Sequence, residues 1–416
     1  MNELDLQFKN IFTKEHVRLA YEACSKGTSW KPSVAKYRNK TTIGSLDLQN
    51  QIILGLFQPS LIFNEFDIDE RGKKRHISAP KYLDKVFQKC LCDNYLIDVL
   101  KRPLIQNNFA CLKGKGVKYA RDRFARDLIH CLNSTDKKQI YILSIDFRKY
   151  FYNINHNILK KNLNKYIKDP DVKYYLFKII DTFGDRGLGL GSQVSQILSV
   201  FHTNTFDHYL TNYKHYKYFG RYMDDSYVMS DNLQELKDLI NEIRYFCERF
   251  LDIELSEEKI KITKIYVRSN FRSSVTFIKC KYSVLNNKII WTENSDKNFY
   301  KREASRLKCF KRKLLIQEMD ISEIENLYKC WRFSTLKSFT NPTKVFFMDI
   351  RYVNLFGADS FLKATKSDKH YENDFIQNKK IFKMLLHNFV ILNLIKSSPE
   401  FIKVSQYIKH KHNIRR

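Results

Sequence analysis

The sequence predicts an α+β protein in which strands and helices alternate through the middle of the chain and helices follow. Two observations support this prediction. Short β-rich runs at 141–145 and within 216–230 lie among stretches of helical length such as 193–210. Beyond about residue 295 the apolar spacing is helical throughout and the composition is very basic. We therefore expect a mixed body of strands and helices followed by a helical C-terminal module.

The predicted elements follow in order along 416 residues, which are too many for one ordinary core. Residues 1–60 alternate helical spacing with polar loops and predict an N-terminal helical extension. Residues 61–290 predict the mixed body, which begins with a strand-turn-strand around 69–72. Residues 291–365 predict a helical module, and residues 366–416 predict a basic helical C-terminal extension.

The charge of the chain indicates its partners. Lys and Arg number 73 against 45 Asp and Glu, and the net charge of +28 predicts a polyanionic partner, with nucleic acid as the favoured one. No apolar run approaches the roughly 20 residues that cross a bilayer, and no signal peptide is predicted at the acidic start. The nine cysteines lack paired zinc spacing and are expected to be reduced. We therefore expect a cytoplasmic protein with no membrane partner.

Three aspartates stand where predicted strands end. Asp146 directly follows an apolar run, and Asp224 and Asp225 occupy the tip of a predicted hairpin. Because neighbouring carboxylates repel one another, such a cluster needs a cation. Two Mg²⁺ ions about 3.5–4 Å apart suit oxygen ligands and a transferred phosphate, and Mn²⁺ could substitute. The alternative is that two aspartates at a turn reflect turn chemistry alone.

Three ordered segments resemble the catalytic motifs of bacterial reverse transcriptases. They read IDFRKYFYNINH at 145–156, GLGLGSQVSQ at 187–196 and RYMDD at 221–225. The resemblance implies a right-hand polymerase with fingers and palm, an antiparallel sheet plus helices, followed by an α-helical thumb. It further implies an RNA-directed DNA polymerase that adds dNTPs to a 3′-hydroxyl, with an RNA template and a DNA product as partners.

The resemblance assigns catalysis to the aspartates Asp146, Asp224 and Asp225. The same side chains, with the backbone carbonyl of Phe147, would hold the metal ions. Phe151 falls at the steric-gate position, where an aromatic ring leaves no room for a 2′-hydroxyl and so favours dNTPs. The alternative for Phe151 is core packing, because Tyr150 is adjacent and only one of the two rings can face the pocket.

Several cations are implied to contact the nucleotide or the nucleic acid. Lys74 and Arg75 resemble fingers residues that grip a triphosphate, since a guanidinium matches phosphate geometry; alternatively they are solvated hairpin charges. Lys259 lies where the family's fourth motif places a lysine, and it could act as a general acid or be a surface lysine. The residues expected to contact template or primer are Lys113, Lys115, Arg121, Arg123 and Lys279. Lys279 stands where a glycine is commoner, which puts the local turn in doubt.

The second motif departs from its commonest form at two nucleotide-binding positions. Leu190 and Gln196 stand where many reverse transcriptases have glutamine and proline, while Gly191 keeps its place. A leucine cannot hydrogen-bond the nucleotide as glutamine could, so we hypothesise relaxed substrate selection. This form resembles the unknown-group and abortive-infection enzymes of bacteria, several of which act in antiphage defence, and the enzymes of diversity-generating retroelements.

The biological role is left open between several alternatives. Antiphage defence is favoured, with a dedicated non-coding RNA, an accessory protein or a homo-oligomer as further partners, and mutagenic reverse transcription in a diversity-generating retroelement is the runner-up. A non-catalytic RNA-binding protein on the same fold belongs to another class, and the three clustered carboxylates argue against it. An RNA-copying RNA polymerase is disfavoured by Phe151. The basic tail at 409–416 predicts either RNA contact or a solvated end.

Overall fold

The computed structural model describes residues 8–26, 32–38, 41–60, 63–70, 73–267, 273–285, 288–293, 299–338 and 342–365. The C-terminal extension predicted at 366–416 lies outside these residues. The chain divides into two compact units. The first comprises residues 1–278 with 282–290, and the second comprises residues 279–281 with 291–416. Each unit is described by itself.

The first unit begins with helices that lead into a two-stranded hairpin. Its opening elements are α1 (Lys14–Ser25), α2 (Pro32–Arg38), α3 (Thr41–Ile53), β1 (Phe63–Glu70), β2 (Lys73–Pro80), α4 (Tyr82–Leu91), α5 (Ile97–Leu100) and α6 (Val117–Asn133). Helix α1 packs on α3 and α4, and the Tyr82 hydroxyl donates to the Tyr21 carbonyl over 2.7 Å. Strands β1 and β2 pair antiparallel, as the strand-turn-strand pattern predicted.

A four-stranded antiparallel sheet forms the centre of the first unit. Strand β3 (Gln139–Ile145) is followed by the helices α7 (Tyr150–Asn153), α8 (His156–Tyr166), α9 (Pro170–Asp181), α10 (Gln193–His202) and α11 (Asn204–His208). The chain continues through β4 (Phe219–Tyr222), β5 (Asp225–Ser230), α12 (Leu233–Phe246) and β6 (Lys261–Tyr266). The strands lie in the order β4-β5-β3-β6, with the buried strand β3 in the interior of the sheet.

The register of this sheet decides where the aspartates lie. Ile145, the last residue of β3, lies opposite Ser226 on β5, so that Asp146 and Asp225 come next on adjacent strands. The β4–β5 hairpin pairs Tyr222 with Asp225 and leaves only two residues in the turn. Because β3 and β5 are antiparallel, Asp146 at the end of β3 and the hairpin tip at the start of β5 lie at the same end of these two strands.

Next along the chain come a small three-stranded sheet and then the helices of the second unit. The strands β7 (Ser273–Phe277), β8 (Cys280–Leu285) and β9 (Lys288–Glu293) lie side by side in that order. The described helices of the second unit are α13 (Phe299–Leu315), α14 (Ile321–Ser338), α15 (Pro342–Phe356) and α16 (Ala358–Thr365). Their core stacks Tyr328 on Tyr352, and Asp349 accepts hydrogen bonds from Tyr328 and Arg332.

The α+β prediction is confirmed, with one local correction. The single helix predicted over 193–210 is instead two helices, because Thr203 leaves the helical conformation with φ −86° and ψ 10°. A π-helical turn, Tyr209–Tyr213, then ends the segment. Among the helices that the structure describes, none is both long and apolar enough to cross a membrane.

Candidate active site

Three aspartates and a lysine meet where strands β3 and β5 of the central sheet end. Asp146 follows β3 and is only 5% exposed, while Asp224 and Asp225 are half-buried at the β4–β5 turn. The Lys259 ammonium donates to both carboxylate oxygens of Asp146 over 2.7 Å. Backbone hydrogen bonds place Lys259 beside Asp146. The Ser256 N–H donates to the Asp146 carbonyl, and the Lys259 N–H donates to the Ser256 carbonyl in the turn that follows.

The carboxylates carry more negative charge than Lys259 balances. Burial, with the charges of Asp224 and Asp146, raises the pKa of Asp225 to about 7, while Lys259 acts in the opposite direction. The pKa of Lys259 is raised: burial lowers it, but the hydrogen bond and charge of Asp146 outweigh burial. A cation at this site would relieve the repulsion among the three side chains.

The donor set suits a divalent metal ion, although the side chains are not arranged as its ligands. Carboxylate oxygens are the ligands that Mg²⁺ prefers. Within the described ranges, no group of three or more His, Cys, Asp or Glu side chains is placed to hold a metal ion. At this site Lys259 donates to both oxygens of Asp146. Phe147 lies opposite Leu255 in an antiparallel β-bridge. The hydrogen bonds of this bridge are made by the Asp146 carbonyl and the Arg148 N–H, so it does not use the Phe147 carbonyl.

The turn that carries Asp224 is held from behind by a buried arginine. Met223 has φ +56°, a conformation that favours glycine at the first position of a two-residue hairpin turn. Arg221 and its partner Asp207 have no exposed side-chain surface and form an ion pair at 2.6 Å. Arg221 Nη1 also donates to the Met223 carbonyl over 2.9 Å. Sequence analysis missed both residues of this pair, although an arginine in a short apolar strand was the available signal.

The adjacent aromatic residues Tyr150 and Phe151 have different surroundings. Tyr150 is buried, and its hydroxyl donates to the Ser199 carbonyl. Phe151 is only partly buried, packs against the core, and accepts a hydrogen bond from Leu188 N–H at its carbonyl over 2.7 Å. Of the two rings, Phe151 is therefore the one with exposed surface.

The glycine-rich loop of the second motif is fastened to the β1–β2 hairpin. Ser78 N–H on β2 donates to the Leu190 carbonyl over 2.8 Å. Gly191 has φ +113°, and a Cβ there would lie 3.0 Å from Ile77 Cγ2 and 3.3 Å from Ala79 Cα. Both the backbone angle and the close approach to β2 therefore favour glycine. Gln196 points its exposed side chain away from the core of α10.

Strand β2 also carries the two cations predicted to grip phosphate. Lys74 is exposed and Arg75 is half-buried on β2, the strand that contacts the Leu190 loop. The structure thus brings the Lys74 and Arg75 strand beside the loop of Leu190 and Gly191.

Three of the cations predicted to contact template or primer already have protein partners. Lys115 donates to the carbonyls of Gln106 and Asn108, and burial lowers its pKa. Arg121 donates to the Ile278 carbonyl over 3.0 Å through Nη2. Arg123 Nε lies 3.0 Å from Asp127. These contacts fix the local positions of the three cations, whose contact with template or primer stays a prediction.

Lys113 and Lys279 are exposed. The turn before β8 is made without glycine, since Ile278 has φ +46° and Lys279 has φ +57°. The turn placed in doubt by a lysine at this position therefore forms, with two residues in the left-handed region that costs a side chain about 1–2 kcal/mol. The structure assigns no ligand to either lysine.

Comparison with known families decides the relationship. Residues 65–306, more than half of the chain, match the family described as reverse transcriptase (RNA-dependent DNA polymerase). The chain belongs to the reverse transcriptase family. Membership of that family indicates RNA-directed DNA polymerase chemistry, which is a nucleotidyl transfer, and the family generally uses divalent metal ions. A comparison with curated proteins gave no match.

Solved structures similar to this reverse transcriptase chain include telomerases of Candida. A truncated apo telomerase from Candida tropicalis is 15% identical, with 56% of this chain and 55% of that chain covered and a TM-score of 0.42. Telomerase from Candida tropicalis with a TWJ fragment of telomeric RNA is 14% identical, with 87% and 67% covered and a TM-score of 0.44. The Candida albicans complex with a TWJ fragment is 12% identical, with 75% and 63% covered and a TM-score of 0.42. The chain thus spans about half of the first of these telomerases and about two thirds of the others.

Proposed function

We propose that this chain is an RNA-directed DNA polymerase that adds dNTPs to a 3′-hydroxyl with the help of two Mg²⁺ ions. The observation that carries the proposal is the meeting of Asp146, Asp224 and Asp225 beside Lys259 where β3 and β5 end. Core packing has no use for three clustered carboxylates, because burial without a counter-ion is unfavourable. A site that binds RNA without catalysis would not need them.

The metal ions would be held by the three aspartates and the Phe147 carbonyl. When bound, such ions activate the attacking 3′-oxygen and stabilise the leaving pyrophosphate. For them to bind, Lys259 must leave the Asp146 oxygens that it contacts. Its ammonium would then be placed to donate a proton from Nζ to the leaving group.

The remaining site residues select and hold the nucleotide in this proposal. The exposed part of the Phe151 ring would exclude a 2′-hydroxyl. Arg75, on the strand fastened to the Leu190 carbonyl, would contact the triphosphate with Lys74 beside it. Residues 61–290 would then serve as fingers and palm and residues 291–365 as the thumb, with the segments before and after them as helical extensions.

Primer extension with the purified chain tests the proposal. With an oligo(dT) primer on poly(rA), Mg²⁺ and dTTP, we expect extension by the wild type and at least about 10³-fold less by Asp146→Asn or Asp225→Asn, since the charge that binds the metal is lost. Asp231→Asn, at an exposed carboxylate just beyond β5, is the matched control and should keep full activity. Binding of the primed template without any extension by the wild type would instead support a non-catalytic RNA-binding protein.

We further propose a cytoplasmic role in bacterial antiphage defence, with a dedicated non-coding RNA as template. The Leu190 and Gln196 form of the second motif supports this branch, but it equally supports a diversity-generating retroelement. Sequencing the nucleic acid that co-purifies with the protein separates the two, because one recurrent structured RNA is expected for defence. A template repeat copied with mutations would favour diversification.

The hypothesis of relaxed nucleotide selection at Leu190 has its own test. If the missing hydrogen bond relaxes selection, Leu190→Gln should lower the misincorporation frequency on a defined template. Leu56→Gln makes the same change at an exposed leucine before β1 and should leave the frequency unaltered. Equal misincorporation by Leu190→Gln and the wild type would remove the hypothesis.

A further inference from the structure

The guanidinium of Arg221 lies behind the turn of Asp224 and Asp225 and is fully buried. Its Nε donates to Asp207 Oδ1 over 2.7 Å and its Nη2 donates to Asp207 Oδ2 over 2.6 Å. Asp207 is also fully buried, on the short helix α11. Removing two charges from water is costly even when they pair well, and a pair of apolar side chains would serve packing as well or better. The ion pair therefore calls for an explanation beyond packing.

The donors of Arg221 that Asp207 leaves available reach the catalytic turn and the helix beside it. Nη1 donates to the Met223 carbonyl over 2.9 Å, and Nη2 also donates to the Val200 carbonyl in the last turn of α10 over 3.0 Å. Met223 holds φ +56°, which a side chain rarely adopts unless its surroundings impose it. The guanidinium is thus bonded to the one peptide of this turn that has an unfavourable conformation.

The backbone of Arg221 is fixed as well. Its N–H donates to the Asn107 carbonyl over 3.0 Å, and its carbonyl accepts from Phe109 N–H over 2.9 Å. The segment around Asn108 thereby lies along the outer edge of β4. Arg221 joins this segment, helices α10 and α11, and the hairpin turn at a single residue.

We infer that Arg221 is a positioning residue for the reaction: its guanidinium, neutralised by Asp207, holds the Met223 carbonyl and so fixes the directions of the Asp224 and Asp225 carboxylates. The inference rests on the proposed polymerase function. Arg221 does not itself touch the reacting atoms. It acts through the turn, in the way that residues behind a metal site orient the ligands.

Two variants separate this role from simple stabilisation of the fold. Arg221→Lys keeps a positive charge beside Asp207, but an ammonium has three donors and cannot replace the four bonds that the guanidinium makes to Asp207, Met223 and Val200. Arg221→Met combined with Asp207→Asn removes both charges, so no unpaired charge remains in the interior. Tyr227→Phe is the control, because it breaks a buried 2.7 Å hydrogen bond to Asp127 from β5 without touching the turn.

Each protein is measured for melting temperature, for Mn²⁺ binding by electron paramagnetic resonance, and for kcat and KM in primer extension. We expect both Arg221 variants to bind Mn²⁺ about 10- to 100-fold more weakly and to lose about 100-fold in kcat, with KM for dNTP little changed. Tyr227→Phe should lower the melting temperature and leave Mn²⁺ binding and kcat as in the wild type.

Unchanged Mn²⁺ affinity and kcat in either folded Arg221 variant would overturn the inference. The same holds if Tyr227→Phe loses both in proportion to its melting temperature, because stability alone would then explain the effect. If the wild type binds Mn²⁺ but makes no product, the polymerase proposal fails. The Mn²⁺ comparison still decides whether Arg221 orients the carboxylates.

Discussion

Tyr150 and Phe151 are neighbours in the chain, yet only one of them is available to a nucleotide. The Tyr150 hydroxyl is bonded to the Ser199 carbonyl inside the core, which leaves Phe151 with the exposed ring. The sequence alone kept both possibilities open, because adjacent aromatic residues have the same composition whichever of them faces inward. The hydrogen bond to α10 settles which ring is buried.

We expect Phe151→Val to relax selection against ribonucleotides. Removing the ring makes room for a 2′-hydroxyl, and gaining or losing a few carbon atoms in such a pocket changes discrimination by roughly 10–200-fold. The measurement is the ratio of kcat/KM for dCTP and CTP in single-nucleotide insertion. Tyr150→Phe is the control, which should cost about 1 kcal/mol of stability and leave the ratio alone. A constant ratio in Phe151→Val would return Phe151 to plain core packing.

Single cations were the least predictable residues of the site. Lys115 and Arg121 were assigned to nucleic acid by their resemblance to a motif of the family, and both donate to backbone carbonyls of the protein. A sequence does not distinguish a cation that bonds a carbonyl from one that faces solvent, since the carbonyl comes from a distant segment. Asp146, Asp224 and Asp225 were predictable because their neighbours identify the strands that carry them.

At the scale of elements, the packing of the glycine-rich loop on β2 ties the second motif to the β1–β2 hairpin. We expect Gly191→Ala to destabilise the protein by about 1–3 kcal/mol, because the added Cβ meets both an unfavourable φ and the side of β2. Gly184 shares a positive φ of +87° but has nothing within 4 Å of an added Cβ, so Gly184→Ala measures the backbone cost alone. The free energy of unfolding in urea gives the difference. Equal losses of unfolding free energy for the two variants would mean that β2 shifts to accommodate the added Cβ without destabilising the protein.

Helix α10 carries a buried histidine whose protonation should set a limit of stability at low pH. Burial lowers the pKa of His202 to about 4. The unfolded chain binds that proton near pH 6.5. The contribution of neutral His202 to the free energy of unfolding is therefore fully present above pH 6.5 and is lost as the pH drops toward 4, by up to about 3 kcal/mol. The difference in unfolding free energy between the wild type and His202→Asn should therefore shrink between pH 7 and pH 4.

A matched control for this pH effect is His130→Asn, at an exposed histidine on α6. This variant shows how far the loss of a surface histidine by itself changes the unfolding free energy with pH. A His202→Asn difference that does not change with pH would show that His202 gains a proton in the folded state as readily as in the unfolded one.

The break at Thr203 shows why element boundaries were less predictable than the elements themselves. The apolar spacing of 193–210 fits one helix, and both halves are helical. The break serves tertiary contacts: Asp207 on the second half turns to Arg221, and Tyr150 reaches the Ser199 carbonyl on the first. Such partners lie far away in sequence, so a local pattern does not contain them.

At the scale of the whole molecule, the net charge of +28 predicts that binding to primed template weakens steeply with salt. A protein that contacts 6–10 phosphates loses about 10³–10⁵ in affinity between 50 and 200 mM salt. In the second unit, Lys301, Lys308 and Arg312 form an exposed basic stripe on α13. Lys308→Glu with Arg312→Glu should make the slope of log affinity against log salt shallower by about 2.

Fluorescence anisotropy of a labelled primed template measures this slope. Glu258→Gln, a charge change of opposite sign at an exposed residue near Lys259, is a control for general charge effects and should leave the slope unchanged. A slope near zero for the wild type would mean that the charge of the chain does not serve nucleic-acid binding.

The register that sets Asp146 beside Asp225 has a consequence for how the protein matures. Asp146 and Asp225 come from separate stretches of the chain, and Lys259 comes from a third, so no local segment contains the candidate site. Contacts of this kind form late in folding, after long loops have closed. On the ribosome, β6 must emerge before its pairing with β3 can complete the sheet. The candidate site therefore assembles only after β3, β5 and the segment of Lys259 have come together.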